Sequence, residues 1–200
     1  MSGPSAAQRR ALSMLAAALP DDAYLAGGVA VALRLGHRVS HDLDLFVQTT
    51  DPLSLEPCLL GIEGTTIDSR APGTLYVTID GVPTSILSYQ APLLEPTSAL
   101  PGIPVPVASL VDLGCMKLAA ISQRGAARDF WDLHEILRND GNLAELLGAF
   151  RAKYPKVDVG HVIRSLAYFG DAETEPHPRG MTEALWARVR ADIETRVRAL

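Results

Sequence analysis

Lysine is nearly missing from this chain: three occur in 200 residues, and none before Lys117. Up to residue 114 the basic complement is five arginines against eleven carboxylates, net −6, whereas residues 115–200 carry thirteen basic and twelve acidic side chains, net +1. This weighs against a broad nucleic-acid-binding face on the first half. A metal ion or a cationic partner suits it better, and a polyanion would have to meet a local basic cluster in the second half. Cysteine is as scarce. Cys58 and Cys115 stand in no CxxC or histidine-rich setting, so they read as two small apolar side chains in a reducing compartment. Long apolar runs are absent too. Stretches such as residues 23–33 fall well short of the roughly 20 residues a bilayer span needs, and no charged-then-apolar leader pattern opens the chain. A cytoplasmic, soluble protein with no membrane partner is expected.

What is present is apolar content of 48%, enough for a core in one domain or two small ones. Residues 5–19, "SAAQRRALSMLAAAL", have helix-forming composition and stop at Pro20. "AYLAGG" (23–28) reads as a buried strand entering a glycine pair, and "VAVALRLG" as a short helix closed by Gly36. A strand follows over 42–47, leaving through "QTTDP". Three more are expected over 62–68, 74–80 and 82–89. Asp80-Gly81 is the hairpin turn, and Pro83 suggests a sheet edge or irregularity beside it. Residues 91–106 hold Pro92, Pro96, Pro101, Pro104 and Pro106 and read as an extended crossing. Beyond it the composition is helical. "SLVD" at Ser109 resembles a capping box for a helix to about Ser122. Further helices are expected over "AARDFWDLHEILRN", ended by Asp140-Gly141, and over 142–154 and 158–169. "GDAETEPHPRG" reads as a polar loop. The last helix carries Met181, Leu185, Val189, Ile193 and Val197 as a packing stripe. The expected plan is α+β, a mixed sheet flanked by helices over 1–107 and a helical part over 108–200.

The stretch "HRVSHDLDLFV" (37–47) holds the least ordinary feature. Asp42 and Asp44 are two apart in an otherwise apolar strand, so both carboxylates stand on one face. Such a pair reads either as a solvated face with an ion pair or as a seat for a divalent cation. Its neighbours favour the seat. Gly27 and Gly28 precede it by one helix, a glycine turn at a helix N-terminus where backbone N–H groups reach phosphate oxygens. Arg38 and Ser40 supply a cation and a hydroxyl, although Arg38 reads equally as a helix-terminal surface residue. Two hard-oxygen ligands beside a phosphate seat suit Mg²⁺ or Mn²⁺ carrying an NTP.

"AGGVAVALRLGHRVSHDLDLF" resembles the active-site signature of the polymerase-β-type nucleotidyltransferase superfamily, a glycine pair, a helix and hDhDh on a strand. "KLAAISQRGAARDFWDL" (117–133) resembles the lysine and RD-x-x-D-L motifs of its AbiEii/AbiGii branch, whose members include toxins of toxin–antitoxin pairs. The resemblance spans about 20–140. It implies a nucleotidyltransferase fold whose helical part completes the cleft, with an NTP substrate and Mg²⁺ or Mn²⁺ held by Asp42 and Asp44. It further implies phosphates cradled at Gly27 and Gly28 and paired with Lys117 and Arg38, with Ser40 beside them. The implied acceptor is RNA, tRNA included, or protein, and a cognate antitoxin is the implied partner. Catalysis would rest on Asp42, Asp44, Lys117 and Asp129.

Asp129 and Asp132 share a helix face. Arg128 can pair with Asp132 in a purely salt-bridged helix, while Asp129, nearer the helix start, is the better candidate to orient the nucleophile. Arg124 shares a face with Lys117 and reads either as a basic edge or as a solvated side chain. The superfamily usually adds a third carboxylate on a following strand. Here that position aligns with Ser85, and Asp80 falls in the turn. A one-metal site, a weak or inactive nucleotide-binding protein, and a small-molecule (antibiotic-type) nucleotidyltransferase are the rival readings. His41 alternates away from the aspartates, His37, His134, His161 and His177 fit no ligand spacing, and Phe130 and Trp131 read as core.

Overall fold

In the computed structural model, residues 4–139 and 141–200 are described. The chain divides into two units, residues 1–109 and 110–200.

The first unit starts with α1 (Ala6–Leu15), whose N-terminus is closed by a reciprocal Ser5–Gln8 capping box. The helix is shorter than the composition suggested. Ala18 and Leu19 bond back to Leu15 in a tight turn, since the residue before Pro20 resists helical backbone. β1 (Tyr24–Ala26) runs directly into α2 (Gly27–Leu35), which Gly36 ends at φ 63°. β2 (Leu43–Val47) follows. The exit from β2 is not the plain loop expected. Asp51 accepts a bond from the Leu53 N–H, Pro52 opens a 3₁₀ turn (Pro52–Leu55), and α3 (Glu56–Leu60) continues it.

β3 (Thr65–Ala71), β4 (Thr74–Ile79) and β5 (Val82–Ser88) form the expected meander. Asp80 and Gly81, at φ 47° and 76°, make its hairpin turn; two consecutive positive φ values match strand twist. The Pro83 expectation needs correction, because β5 lies between β4 and β2 and not at an edge. Pro83 is tolerated because the β2 ladder begins only at Leu43↔Thr84, leaving no missing N–H bond there. Residues 91–106 are not wholly a crossing either. β6 (Ser98–Leu100) and β7 (Ile103–Val107) pair antiparallel. Pro104 and Pro106 sit on the exposed positions of β7, outside its ladder pairs, while Ile103, Val105 and Val107 are buried.

Among the described residues the strands form one mixed sheet ordered β3-β4-β5-β2-β1-β7-β6. Its two faces differ. Leu43, Leu45, Leu75, Val77, Ile79, Val82 and Ile86 are buried on one side, whereas Asp44, Ser85 and Tyr76 on the other are half-buried or exposed. This inward–outward alternation fixes which side chains share a face.

The second unit is helical: α4 (Leu110–Arg124), α5 (Ala127–Arg138), α6 (Leu143–Lys153), α7 (Val159–Leu166), α8 (Gly170–Thr174) and α9 (Glu183–Arg198). Asn142, Asp158 and Thr182 cap α6, α7 and α9 with side-chain oxygens. Asp140, assigned with Gly141 to the end of α5, lies outside the described residues. Residues 170–180 are a polar loop only after α8. Phe130 packs on Phe169 and Trp186, and Trp131 is buried as well. On α9 the buried stripe is Trp186, Val189 and Ile193, with Leu185 and Val197 half-buried and Met181 buried before the helix begins. No helix among the described residues is long and apolar enough to cross a membrane.

Candidate active site

The tight passage from β1 into α2 brings the first group of site residues together. Ala26 pairs with Asp44 across the β1–β2 ladder, so Gly27, the next residue, lies beside that carboxylate. Gly27 has φ 67°, and a Cβ there would be driven into the Asp44 side chain. A Cβ on Gly28 would come within 2.6 Å of both the Arg38 guanidinium and the Ser40 hydroxyl. Gly27, Gly28, Arg38, Ser40 and Asp44 therefore converge on the first turn of α2, where free N–H groups and the positive end of the helix dipole favour anions. Arg38 is buried and donates to the Val39 carbonyl at 3.2 Å. Asp42 is exposed just ahead of β2, and Asp44 is half-buried within it. His41 is exposed and His37 half-buried.

Ser85 stands where the sequence aligned it. It is the register partner of Asp44 on β5, and its hydroxyl donates to Asp44 Oδ1 at 2.7 Å. Asp42, Asp44 and Ser85 line an open cavity of about 270 Å³ together with Asp68, Tyr76, Val77, Pro83 and Thr84. Among the described residues no group of three or more His, Cys, Asp or Glu side chains is placed to hold a metal ion. Two carboxylates at the mouth of an open cavity are nevertheless the donor set of Mg²⁺ or Mn²⁺, which keep positions for substrate phosphate and water. The residues fit such an ion.

Sequence reasoning missed three participants. Gln8 is buried, and its amide donates to the carbonyls of Ser40 and His41, each at 2.9 Å, while its oxygen accepts from Ser5 N–H. It thus ties α1 to the loop that carries Arg38, Ser40 and Asp42. The capping box was readable, but a partner 32 residues away was not. Asp68 sits at a bulge where the β3–β4 register shifts between Ile67 and Ser69. There it accepts from the hydroxyls of Thr78 at 2.7 Å and Thr66 at 3.3 Å. Tyr76 lines the same cavity from β4, and its exposed position in a strand pattern is the one signal that marked it.

The second group lies in the helical unit. Lys117, on α4, is buried and donates to Asp129 Oδ1 at 2.9 Å and meets Asp132 Oδ2 at 2.7 Å, both carboxylates being on α5. Arg124 grips Asp129 with two bonds, Nε to Oδ2 at 2.8 Å and an Nη to Oδ1 at 3.1 Å. Asp132 is therefore held by Lys117 and not by Arg128, which is exposed, and Arg124 is engaged although half its side chain meets solvent. Burial works to lower the Lys117 pKa, but the charges of Asp132 and Asp129 outweigh it and raise the ammonium above its ordinary value. Burial likewise works to raise Asp129, and Lys117 with Arg124 outweighs it, so this carboxyl is held below the usual range. Lys117 is thus a fixed, fully charged cation on a preorganised mount.

Residues 72–199 match the model of the family described as nucleotidyl transferase AbiEii toxin, type IV TA system. An uncharacterized protein of Aquifex aeolicus is 33% identical over 196 residues, covering 96% of this chain and 94% of that protein. Among solved structures, the nucleotidyltransferase toxin MenT4 from Mycobacterium tuberculosis is similar with a TM-score of 0.70 at 20% identity, over 97% of this chain and 82% of that one. The antibiotic-resistance factor ANT(2″)-Ia, solved with adenylyl-2″-tobramycin, is similar with a TM-score of 0.57 at 18% identity, over 74% and 98%. At such identities these two structures establish a common fold. With the family model matching well over half its length, the chain belongs to the AbiEii nucleotidyl transferase toxin family and is a nucleotidyltransferase.

Proposed function

We propose that this enzyme transfers a nucleotidyl group from an NTP to RNA, with tRNA the acceptor class to test first, and that Mg²⁺ or Mn²⁺ held by Asp42 and Asp44 is required. The observation that carries the reading is the convergence of Gly27 and Gly28 on Asp44, Arg38 and Ser40 at the start of α2. The bound ion supplies charge neutralisation to the triphosphate. The chain's own residues do the rest. The first N–H groups of α2 hold the phosphates where no side chain obstructs them, with Arg38 and Ser40 alongside. Lys117 balances the two buried carboxylates of α5, and Asp129 fixes the half-exposed guanidinium of Arg124. An acceptor hydroxyl oxygen bonds to the α-phosphorus as the bond to pyrophosphate breaks, and its proton leaves to a site carboxylate or solvent. Alignment and charge stabilisation carry such a reaction, with little covalent help from the protein.

A second reading rests on Ser85, which occupies the place of a third carboxylate and bonds to Asp44: a protein that binds nucleotide and turns it over weakly or not at all. As a member of a toxin–antitoxin family, the chain is proposed to be cytoplasmic and to meet a cognate antitoxin.

Incubation with each labelled NTP, Mg²⁺ or Mn²⁺, and total RNA, purified tRNA, protein or an aminoglycoside tests these readings beside Asp44→Ala. Metal-dependent labelling of RNA that the variant abolishes is the expected result. Metal-dependent NTP binding without any labelled acceptor favours the second reading. Labelling of the aminoglycoside alone favours a small-molecule enzyme, and labelling of protein alone replaces the RNA acceptor.

A further inference from the structure

Tyr76 is 44% exposed in the middle of β4, between β3 and β5, and its chain neighbours Leu75 and Val77 are fully buried. The Tyr76 side chain takes no part in any ring stack or side-chain hydrogen bond among the described residues. It lines the same cavity as Asp42, Asp44 and Ser85.

The register fixes its relation to the reaction. Asp44 pairs with Ser85, and Ser85 pairs with Tyr76. Directly paired residues present their side chains on one face, so the three form a row across β2, β5 and β4. Adjacent strands are about 4.8 Å apart, which puts the Tyr76 backbone roughly 10 Å from that of Asp44, on the same face. The glycine pair lies on the opposite flank of Asp44, next to β1. Phosphoryl transfer holds the attacking and leaving oxygens roughly in line. With the leaving phosphates seated over α2, the incoming hydroxyl must arrive from the β5–β4 side, where Tyr76 stands.

We propose that Tyr76 is the stacking platform for the base of the acceptor nucleotide, so that the open face of β4 is the acceptor subsite; this rests on the nucleotidyl-transfer reading above. The chemistry of the cavity names the ligand class. It is lined by Asp42, Asp44 and Asp68 and by no basic side chain, which disfavours a phosphate-gripped acceptor there. A flat, uncharged base with amino groups suits it, since the ring can lie on Tyr76 while a base N–H is within the reach of a carboxylate. The bulge in β3 turns Asp68 to that face, and the hydroxyls of Thr78 and Thr66 fix its orientation. The acceptor end is therefore an unpaired nucleotide, as base stacking requires an unstacked partner.

Two measurements test this. The first is acceptor and NTP kinetics for the wild type, Tyr76→Ala and Tyr76→Trp with RNA as acceptor. Tyr76→Ala is expected to raise the acceptor KM by roughly 10- to 100-fold, the range of one lost base stack, without moving the NTP KM; Tyr76→Trp, which keeps a stacking face, restores it. The second needs no turnover. A trinucleotide RNA ending in 2-aminopurine should lose fluorescence on binding the wild type and not on binding Tyr76→Ala. An unchanged acceptor KM in Tyr76→Ala, an equal rise in NTP KM, or no quenching by the wild type overturns the subsite. Displacement of the trinucleotide by an aminoglycoside whose own affinity drops in Tyr76→Ala replaces the base with an amino sugar and also overturns it. Tyr76-dependent quenching without transfer to any RNA keeps the base platform and brings down the transfer reading instead.

Discussion

Ser85 donates its hydroxyl to Asp44 Oδ1 at 2.7 Å from the adjacent strand, directly across the parallel β2–β5 ladder. A neutral donor thus satisfies a carboxylate oxygen at the place where the sequence resemblance implies a further carboxylate. In Ser85→Asp, two like charges face each other across a ladder, which is destabilising until a cation neutralises them. The expected outcome is a lower melting temperature without metal, on the order of 1 kcal/mol of stability, and a larger rise on adding Mn²⁺ than the wild type shows. Thermal denaturation with and without Mn²⁺ measures both; equal metal-induced shifts would defeat the expectation.

The two glycines predict unequal penalties. Gly27→Ala forces a side chain to a positive φ and into Asp44, a strain of about 1–3 kcal/mol. Gly28→Ala meets only the ends of Arg38 and Ser40, which can move aside. Denaturant unfolding should find Gly27→Ala clearly less stable than Gly28→Ala, while equilibrium dialysis finds NTP binding weakened in both. Equal stabilities would count against the geometry.

Gln8→Ala removes the amide that holds the Ser40 and His41 carbonyls. Each lost bond is worth about 1 kcal/mol, with more where a buried carbonyl stays unpaired, so roughly 2 kcal/mol is expected. Hydrogen exchange should accelerate across residues 37–42 in the variant. Gln8→Glu should be worse, because an ionised carboxylate would face two carbonyl oxygens. Unchanged exchange over that loop in Gln8→Ala would refute the clamp.

The Lys117 cluster predicts a pH profile. Asp129 has a depressed folded pKa, so its stabilisation is complete above the ordinary value of 3.8 and is lost as the pH falls below it through the folded value. Lys117 has a raised one. Its contribution is complete below 10.5 and is lost as the pH rises beyond that through the folded value. Asp129→Asn should flatten the acid limb in urea unfolding series. Lys117→Met leaves two buried carboxylates facing each other, a loss of about 3–5 kcal/mol at neutral pH that acid should partly relieve as they take up protons. A Lys117→Met penalty that grows toward acid would contradict this account.

Local patterns were legible from the residues. A glycine pair before a helix and Asp80-Gly81 between β-rich runs each have their cause within a few positions, and counting along β5 reached Ser85; of the two carboxylates expected in one strand, Asp44 lies within β2 and Asp42 just ahead of it. What escaped depends on register or distance. The β3 bulge adds one residue, which breaks the period of two and hides that Asp68 shares a face with Tyr76. Gln8 acts on backbone carbonyls that no side-chain pattern announces. β7 was concealed by Pro104 and Pro106, whose outward, unpaired positions remove the usual objection to proline in a strand. The Arg128–Asp132 pair was sound helix logic, but Lys117 on the neighbouring helix was the stronger partner.

The lysine shortage has an experimental consequence once its distribution in space is known. Lys117 is clasped by Asp129 and Asp132, and Lys153 is sealed against Asp112 at 2.7 Å with neither side chain reaching solvent. Of the three lysine side chains only Lys156 is exposed. An amine-directed acylating reagent should therefore mark Lys156 in the folded protein and reach Lys117 and Lys153 only when the helices open. The chain carries its own two-point chemical reporter of that opening, readable as mass increments on single peptides.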